Sequence, residues 1–300
     1  MSELQNAELI EAWDTILFDK FLQFEHLLTV GLGHHGTKLF ELYPPKVGAK
    51  ILDFGCGLGD TTAKLATLVG EKGLVVGGDC APRFIVAAKE RHHQTTAQFV
   101  VMDGENESDL GGPYDAIYSR FGTMFFVNPV NGFRNLCQNL KPGGELHVVG
   151  WRKRQDNPFI YRAQQIAEKY IAEEDLAPDQ ITCGPGPFAN AGADMVSDIL
   201  HLAGFENVTF CRFDAPVCIG RSVEEAVLFT TTMGPAGEKI RLAEAKSTEK
   251  AGMMKTKIEN DLRKEYEPLL GEKGIWLPSS AWLISGTKKR PSLSHLTAGI

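Results

Sequence analysis

Residues 51–62, "ILDFGCGLGDTT", constrain the fold more than any other stretch of the chain. A short apolar run leads into three glycines separated by single residues, and then into Asp60-Thr61-Thr62, which can open a helix. Glycines at a strand end let a ligand lie against bare backbone, and the helix that follows offers unpaired N–H groups. The dinucleotide fingerprint G-x-G-x-x-G would need a glycine where this chain has Asp60. The spacing here is G-x-G-x-G, through Gly55, Gly57 and Gly59. An acid at the helix N-terminus disfavours a pyrophosphate. It is compatible with a ligand that carries an ammonium and a sulfonium.

The flanking chain alternates in type. Residues 50–54, 73–79, 97–103, 114–120 and 145–151 read as strands, and 60–69, 82–92 and 129–140 as helices, with "LKPGG" (140–144) as a turn. Strands alternating with helices of about ten residues imply a parallel, doubly wound sheet. Asp79 ends the second strand, where an acid can accept from both hydroxyls of a ribose; it can equally cap the helix that opens at Pro82. Asp103 ends the third strand in the corresponding place. It can accept from an exocyclic amine while Gly104 passes close, or serve as a turn residue.

On either side of this alternation the pattern is helical. Residues 5–29 carry apolar side chains at helical spacing, "GLGHHG" (31–36) breaks the run, and a short helix continues to Tyr43 before Pro44-Pro45. After Trp151 come a helix over 159–173, a Gly/Pro-rich loop over 183–194, a helix over 195–203 and a strand over 207–219. Helices over 222–232 and roughly 236–266 follow, then a last strand over 280–287 and a poorly ordered tail from Lys288. The loop and these late helices read either as a lid or as a packing insertion.

Charge and cysteine usage exclude several functions. The net charge is −7, against the basic balance expected of a duplex-DNA binder, so no nucleic-acid partner is expected. The basic clusters at 152–154 and 288–290 read as solvated charges. The six cysteines form no C-x-x-C pair, which removes zinc-site spacing and suggests reduced thiols in a cytoplasmic protein. The first residues do not read as a signal peptide, and no apolar run is long enough for a membrane span.

The segments "ILDFGCGLG", "VVGGDCAPRFIVAAKE", "AQFVVMDGEN", "YDAIYSRFGTMFF" and "LKPGGELHVVGW" follow in that order. Together they resemble the class I S-adenosylmethionine (SAM)-dependent methyltransferases, and within them the ubiquinone and menaquinone biosynthesis C-methyltransferase subgroup. The resemblance covers residues 48–151. It implies an α/β, Rossmann-like, doubly wound seven-stranded sheet, mostly parallel with the last strand reversed. N-terminal helices and a helical insertion before the last strand would complete one globular unit. Its parts would be a helical cover (1–47), the SAM-binding core (48–151), the remaining core with a lid or insertion (152–275), and the last strand and tail (276–300).

The cofactor implied is SAM, with no metal. Gly55, Cys56 and Gly57 would lie against its methionine part, with Gly59 completing the loop and Asp53 beneath, near the amino group. Asp79 would hold the ribose and Cys80 would border the adenine, whose edge Asp103 and Gly104 would recognise. Ser119 and Arg120 would meet the methionine end through backbone carbonyls.

Methyl transfer from a sulfonium is an in-line displacement that rests on positioning and water exclusion, so no catalytic motif is required. His34 and His35, in the glycine-flanked break, are the candidate bases, or else an exposed loop pair. His147 reads as a sheet histidine, His92-His93 as a helix end, and His201 as a helix-face residue. Trp13, Phe18, Phe121, Phe125, Phe126 and Trp151 are candidate walls of the acceptor pocket, although each could be ordinary core. As a set they imply a small apolar or aromatic acceptor. A protein or peptide acceptor and a non-catalytic SAM-binding module are the alternatives. An NAD-dependent oxidoreductase would rest only on the glycine loop and Asp79, against Asp60 and the "LKPGG" turn.

Overall fold

The computed structural model describes residues 2–172, 186–246 and 248–291. Cys183, the start of the Gly/Pro-rich loop, the end of the helix expected to reach residue 173 and the tail beyond 291 lie outside the described residues.

The chain opens with α1 (Ser2–Ala12), one π-helical turn (Trp13–Leu17), α2 (Phe18–Gln23), α3 (Glu25–Gly31) and α4 (Gly33–Leu42). The alternating unit follows: β1 (Lys50–Phe54), α5 (Asp60–Val69), β2 (Leu74–Asp79), α6 (Pro82–Arg91), β3 (Gln98–Val101), β4 (Tyr114–Arg120), α7 (Pro129–Gln138) and β5 (Leu140–Trp151). Next come α8 (Pro158–Glu168), α9 (Ala193–Ala203), β6 (Phe205–Gly220), α10 (Val223–Thr232), α11 (Gly234–Lys246), α12 (Thr248–Tyr266) and β7 (Ile275–Lys288).

The seven strands form one sheet in the order β3-β2-β1-β4-β5-β7-β6. Strands β1 to β5 pair in parallel, and β7 runs antiparallel to both β5 and β6. The last strand is therefore the reversed one, as expected. The order changes direction between β1 and β4, and such a switch point opens a crevice at the carboxyl ends of the strands. Both faces of the central strands β1, β2, β4 and β5 are covered, which is why they read as near-continuous apolar runs, while the edge strands β3 and β6 are partly exposed. Ile51, Val75, Tyr118 and Val149 pack toward Leu39 and Leu65. The alternate residues Leu52, Val76, Ile117 and Val148 pack toward Phe133, Leu136 and Leu200.

Local signals explain several helix ends. Pro82 and Pro129 occupy first turns, and Asn128 Oδ1 accepts from Asn131 N at 3.1 Å. Gly204, at φ +104°, closes α9. The N-terminal region departs from expectation. The break falls at Leu32, and "GHHG" lies within α4. Gly31 and Gly36 serve close packing rather than a turn, whereas Gly33 has open space beside it. A methyl on Gly31 would meet Cys218 O at 3.2 Å, and one on Gly36 would meet Arg120 Cδ at 3.2 Å. The long helix expected over 236–266 is two helices, α11 and α12. β5 begins within the expected turn, its ladder with β4 shifting register between Tyr114 and Ala116. β7 begins earlier than expected, because its first residues pair with the end of β6.

Candidate active site

A cavity of about 410 Å³ opens at the carboxyl ends of β1, β2 and β4. That lies within the ~300–1,000 Å³ typical of small-molecule sites. The N-terminal helices and the α10–α11 junction close it, contributing Trp13, Lys20, Phe21, Thr230, Met233 and Glu238 to its wall.

The glycine loop forms its floor. Gly55 and Gly57 adopt φ of +72° and +53°. A Cβ on Gly55 would meet Gly122 Cα at 2.8 Å, so two backbones cross here with no room for a side chain. At Gly57 a Cβ would find only Phe84 Cδ1, at 3.9 Å, so the loop shows bare backbone to the cavity. The Gly57 N–H donates to Asp79 Oδ2 at 2.9 Å, and Ala81 N–H donates to Asp79 Oδ1 at 3.1 Å. Burial raises the Asp79 carboxyl above its ordinary value, and these N–H donors oppose that shift.

Asp103 is similarly engaged. Its Oδ2 accepts from Asn6 Nδ2 and Asn106 Nδ2, each at 2.8 Å, and its Oδ1 from Glu105 N at 3.0 Å. Asn6 thereby ties α1 to the end of β3. Gly104 leaves no space for a side chain, because its Cβ would collide with the Phe54 ring. Glu105, 3% exposed, accepts from Val127 N at 2.7 Å and Asn128 N at 3.0 Å, joining this loop to the start of α7.

Asp60 is committed to a neighbour. Its Oδ2 lies 2.8 Å from Arg120 Nη2, and Arg120 Nε donates to Thr61 Oγ1 at 2.9 Å. Arg120 therefore pins the first turn of α5 to the end of β4.

Of the residues expected around a cofactor, Gly55, Cys56, Gly57, Asp79, Cys80, Asp103, Gly104 and Arg120 line this one cavity. Asp53, Gly59 and Ser119 do not line it. Asp53 is buried beneath the loop and accepts from Thr62 Oγ1 at 2.6 Å, which fastens α5 to β1. Burial pushes its carboxyl up to about 7. A Cβ on Gly59 would meet His92 Cδ2 and Phe99 Cε1, both at 2.8 Å, so this glycine makes room for rings behind the loop. Ser119 Oγ is buried without a hydrogen-bond partner among the described residues. The thiols of Cys56 and Cys80 are held above their ordinary pKa by burial, which removes a thiolate role for either.

Trp13, Phe121, Phe125, Phe126 and Trp151 line the cavity; Phe18 does not. Phe18 packs 4.9 Å from Phe84, and the Arg83 guanidinium sits 4.2 Å above its ring. Phe121 stacks on Trp151 at 4.1 Å and holds φ +62°, an uncommon backbone for a bulky residue. Trp13 meets Phe125 edge-on at 4.8 Å.

The two candidate bases stand elsewhere. Because α4 starts at Gly33, His35 points inward and is fully buried, with Nε2 3.2 Å from Ser279 Oγ. It meets Phe121, Trp151 and Phe213 edge-on, one layer behind the cavity wall. Burial lowers its pKa to about 4, so the ring is neutral at physiological pH. His34 is exposed, with its ring 6.1 Å from Trp276. Neither lines the cavity, which corrects the expected placement. Cavity-lining residues that the sequence reading missed include Asn6, Glu105, Gly122, Lys20, Phe159, Met233 and Glu238. A Gly immediately after "SRF" was the signal for Gly122; the others carry no local motif.

Residues 51–144 match a family described as a methyltransferase domain. The chain is a class I S-adenosylmethionine-dependent methyltransferase. Over 233 residues the methyltransferase is 29% identical to the ubiquinone/menaquinone biosynthesis C-methyltransferase of Ectopseudomonas mendocina, spanning 69% of this chain and 85% of the relative. Over 230 residues it is 27% identical to the enzyme of the same description from Cronobacter sakazakii, spanning 69% and 86%. In fold it is similar to the YcgJ protein of Bacillus subtilis, with a TM-score of 0.54 and 14% identity over 86% of this chain and 100% of that one. Its cofactor is SAM. Among the described residues, no cluster of three or more His, Cys, Asp or Glu is placed to hold a metal ion. No helix among them is long and apolar enough to cross a membrane.

Proposed function

We propose that this methyltransferase acts in the cytoplasm on a small, apolar or aromatic molecule that enters the cavity beside the cofactor. One observation carries the reading: the glycine loop, Asp79 and Asp103 share a single cavity with an aromatic chamber walled by Trp13, Phe125, Trp151 and Phe159. The bare backbone of Gly55 to Gly57 fits a ligand that must approach closely. Asp79 keeps acceptor capacity beyond its backbone donors Gly57, Ala81 and Cys80, as a ribose hydroxyl requires. Asp103 and Gly104 are the candidates for the adenine edge, with Asn6 over them.

When bound, the cofactor supplies a methyl group on a cationic sulfur. The chain's own contribution is geometric and electrostatic. Carboxylates at the cofactor end favour a cation, and aromatic faces at the other end tolerate one. The Asp60–Arg120 pair keeps the loop and the end of β4 in register, while the N-terminal cover and the α10–α11 junction exclude water. No histidine is needed as a base within the cavity when the acceptor is a nucleophile already free of its proton. The relatives named for ubiquinone and menaquinone biosynthesis favour a ring-bearing acceptor over a peptide.

The test is calorimetric titration with S-adenosylhomocysteine, followed by transfer of labelled methyl from SAM into fractions of a metabolite extract. One site per chain and label in a small, organic-soluble product are expected. Label only in the protein fraction would overturn the acceptor class.

A further inference from the structure

The charged side chains around the cavity are nearly all committed to neighbours. Asp60 pairs with Arg120, and Glu238 pairs with Arg241. Asp79, Asp103 and Glu105 accept from backbone and amide donors. Lys20 is the exception: it lines the cavity from α2, half-buried, with no hydrogen bond or ion pair from its ammonium among the described residues.

Its surroundings are apolar. Trp13, Leu17 and Phe21 flank it on its own stretch, and Met233 lies on the facing α10–α11 junction. Two charges on α11 also act on it: Glu238 favours the ammonium and Arg241 opposes it, and the Glu238 carboxylate is already held bidentately by Arg241. Burial is the largest influence on the lysine and lowers its pKa, which is the mark of an ammonium short of solvation. An unpaired cation in an apolar wall lacks a counter-charge, and a ligand can supply one.

We propose that Lys20 anchors an ionised oxygen on the methyl acceptor, so that the substrate class is an apolar or aromatic body bearing a carboxylate or an ionised, acidic phenol. This rests on the reading that the aromatic end of the cavity receives the acceptor. Thr230 Oγ1 is turned to its own backbone, donating to Ala226 O at 2.8 Å, and the Thr232 hydroxyl is the neutral polar group beside it on the cavity wall. Among the charged groups of that wall, Lys20 is the one left to set specificity.

Matched probes test this in protein saturated with S-adenosylhomocysteine. The carboxylate arm compares 1-naphthoate with its methyl ester, and the phenolate arm compares 2,4-dinitro-1-naphthol with its methyl ether. Wild-type protein is expected to prefer at least one anion over its neutral partner by about tenfold, the scale of one charge-assisted hydrogen bond. Lys20→Gln should erase that preference, Lys20→Arg should restore most of it, and affinity for S-adenosylhomocysteine should be unchanged in both. The arm that responds identifies the oxygen. Equal affinity for anion and neutral partner in wild-type protein, no binding of any probe, or a preference that survives Lys20→Gln would each overturn the anchor while leaving the cofactor reading intact. If wild-type protein failed to bind S-adenosylhomocysteine at all, the cavity reading would fall and the anchor with it.

Discussion

Asp79→Asn removes a charge and changes almost no volume, so it isolates what the carboxylate does. The two oxygens of Asp79 offer about four acceptor sites, and the N–H groups of Gly57 and Ala81 occupy one on each oxygen. The Cys80 N–H also bears on this carboxylate, which leaves acceptor capacity for a ribose hydroxyl. Asparagine keeps a single acceptor oxygen and must turn its NH₂ toward either the Gly57 or the Ala81 donor. The variant should lose about 1–3 kcal/mol of cofactor binding, a roughly 5- to 150-fold rise in Kd. The assay is calorimetry with S-adenosylhomocysteine, alongside a thermal melt that shows the variant folded. A pH series adds a second readout. Burial raises the Asp79 carboxyl, and its protonated form offers fewer acceptor sites, so wild-type affinity should fall on acidification while that of the variant stays flatter. A folded Asp79→Asn protein that binds within threefold of wild type, with the same pH profile, would refute the assignment.

Gly55→Ala places a methyl 2.8 Å from Gly122 Cα at a φ of +72°. With backbone on both sides and a left-handed conformation, it should cost at least about 2 kcal/mol by urea unfolding, and an unchanged midpoint would show that the crossing can relax. Asp53, raised to about 7 by burial, is protonated in the folded state below that pH. Its contribution is present below the unfolded value near 4 and lost as pH rises through about 7. Asp53→Asn should therefore gain on wild type across that window by up to ~1.4 kcal/mol per pH unit, and a flat difference would remove the claim. His35, lowered to about 4, has the opposite sign: wild type should lose stability relative to His35→Gln as pH falls from about 6.5 toward 4. The same variant should bind S-adenosylhomocysteine within threefold of wild type, because the ring stands behind the cavity wall; a larger loss would bring the histidine back into the site.

The cofactor end was legible because its chemistry is written in contiguous residues. A strand, a glycine loop and an acid at the next strand end are local patterns, and they place Gly55, Gly57 and Asp79 together without knowledge of distant packing. Gly59 and Asp53 belong to the same pattern and still fall behind the loop, because spacing does not say which side of a turn faces out. The contacts of Gly59 with His92 and Phe99 come from the residue that ends α6 and from β3, far along the chain. His34 and His35 misled for a similar reason. Two glycines beside a histidine pair read as a loop, whereas the structure uses Gly36 to let Arg120 approach α4. Lys20 carried no motif at all. Its isolation is visible only after every other charge around the cavity has been matched to a partner.

This difference in legibility follows from how the two ends are supported. The cofactor loop is held by the central strands: Gly55 and Cys56 donate to Gly78 O at 2.8 and 3.0 Å, and Gly57 to Asp79. The acceptor end is assembled from the N-terminal cover, the segment after β5 and the α10–α11 junction; α3 packs against β6 with Gly31 beside Cys218, and Phe24 meets Phe229 of α10 edge-on at 5.2 Å. Substitutions in Trp13, Lys20 or Met233 can thus reshape the acceptor chamber with little strain on the strands that hold the loop. The stack of Phe121 on Trp151 is the exception, since Phe121 also donates its N–H to Val149 O at 3.0 Å and continues directly from Arg120. A change there would disturb both ends at once, whereas a change at Lys20 should disturb only one.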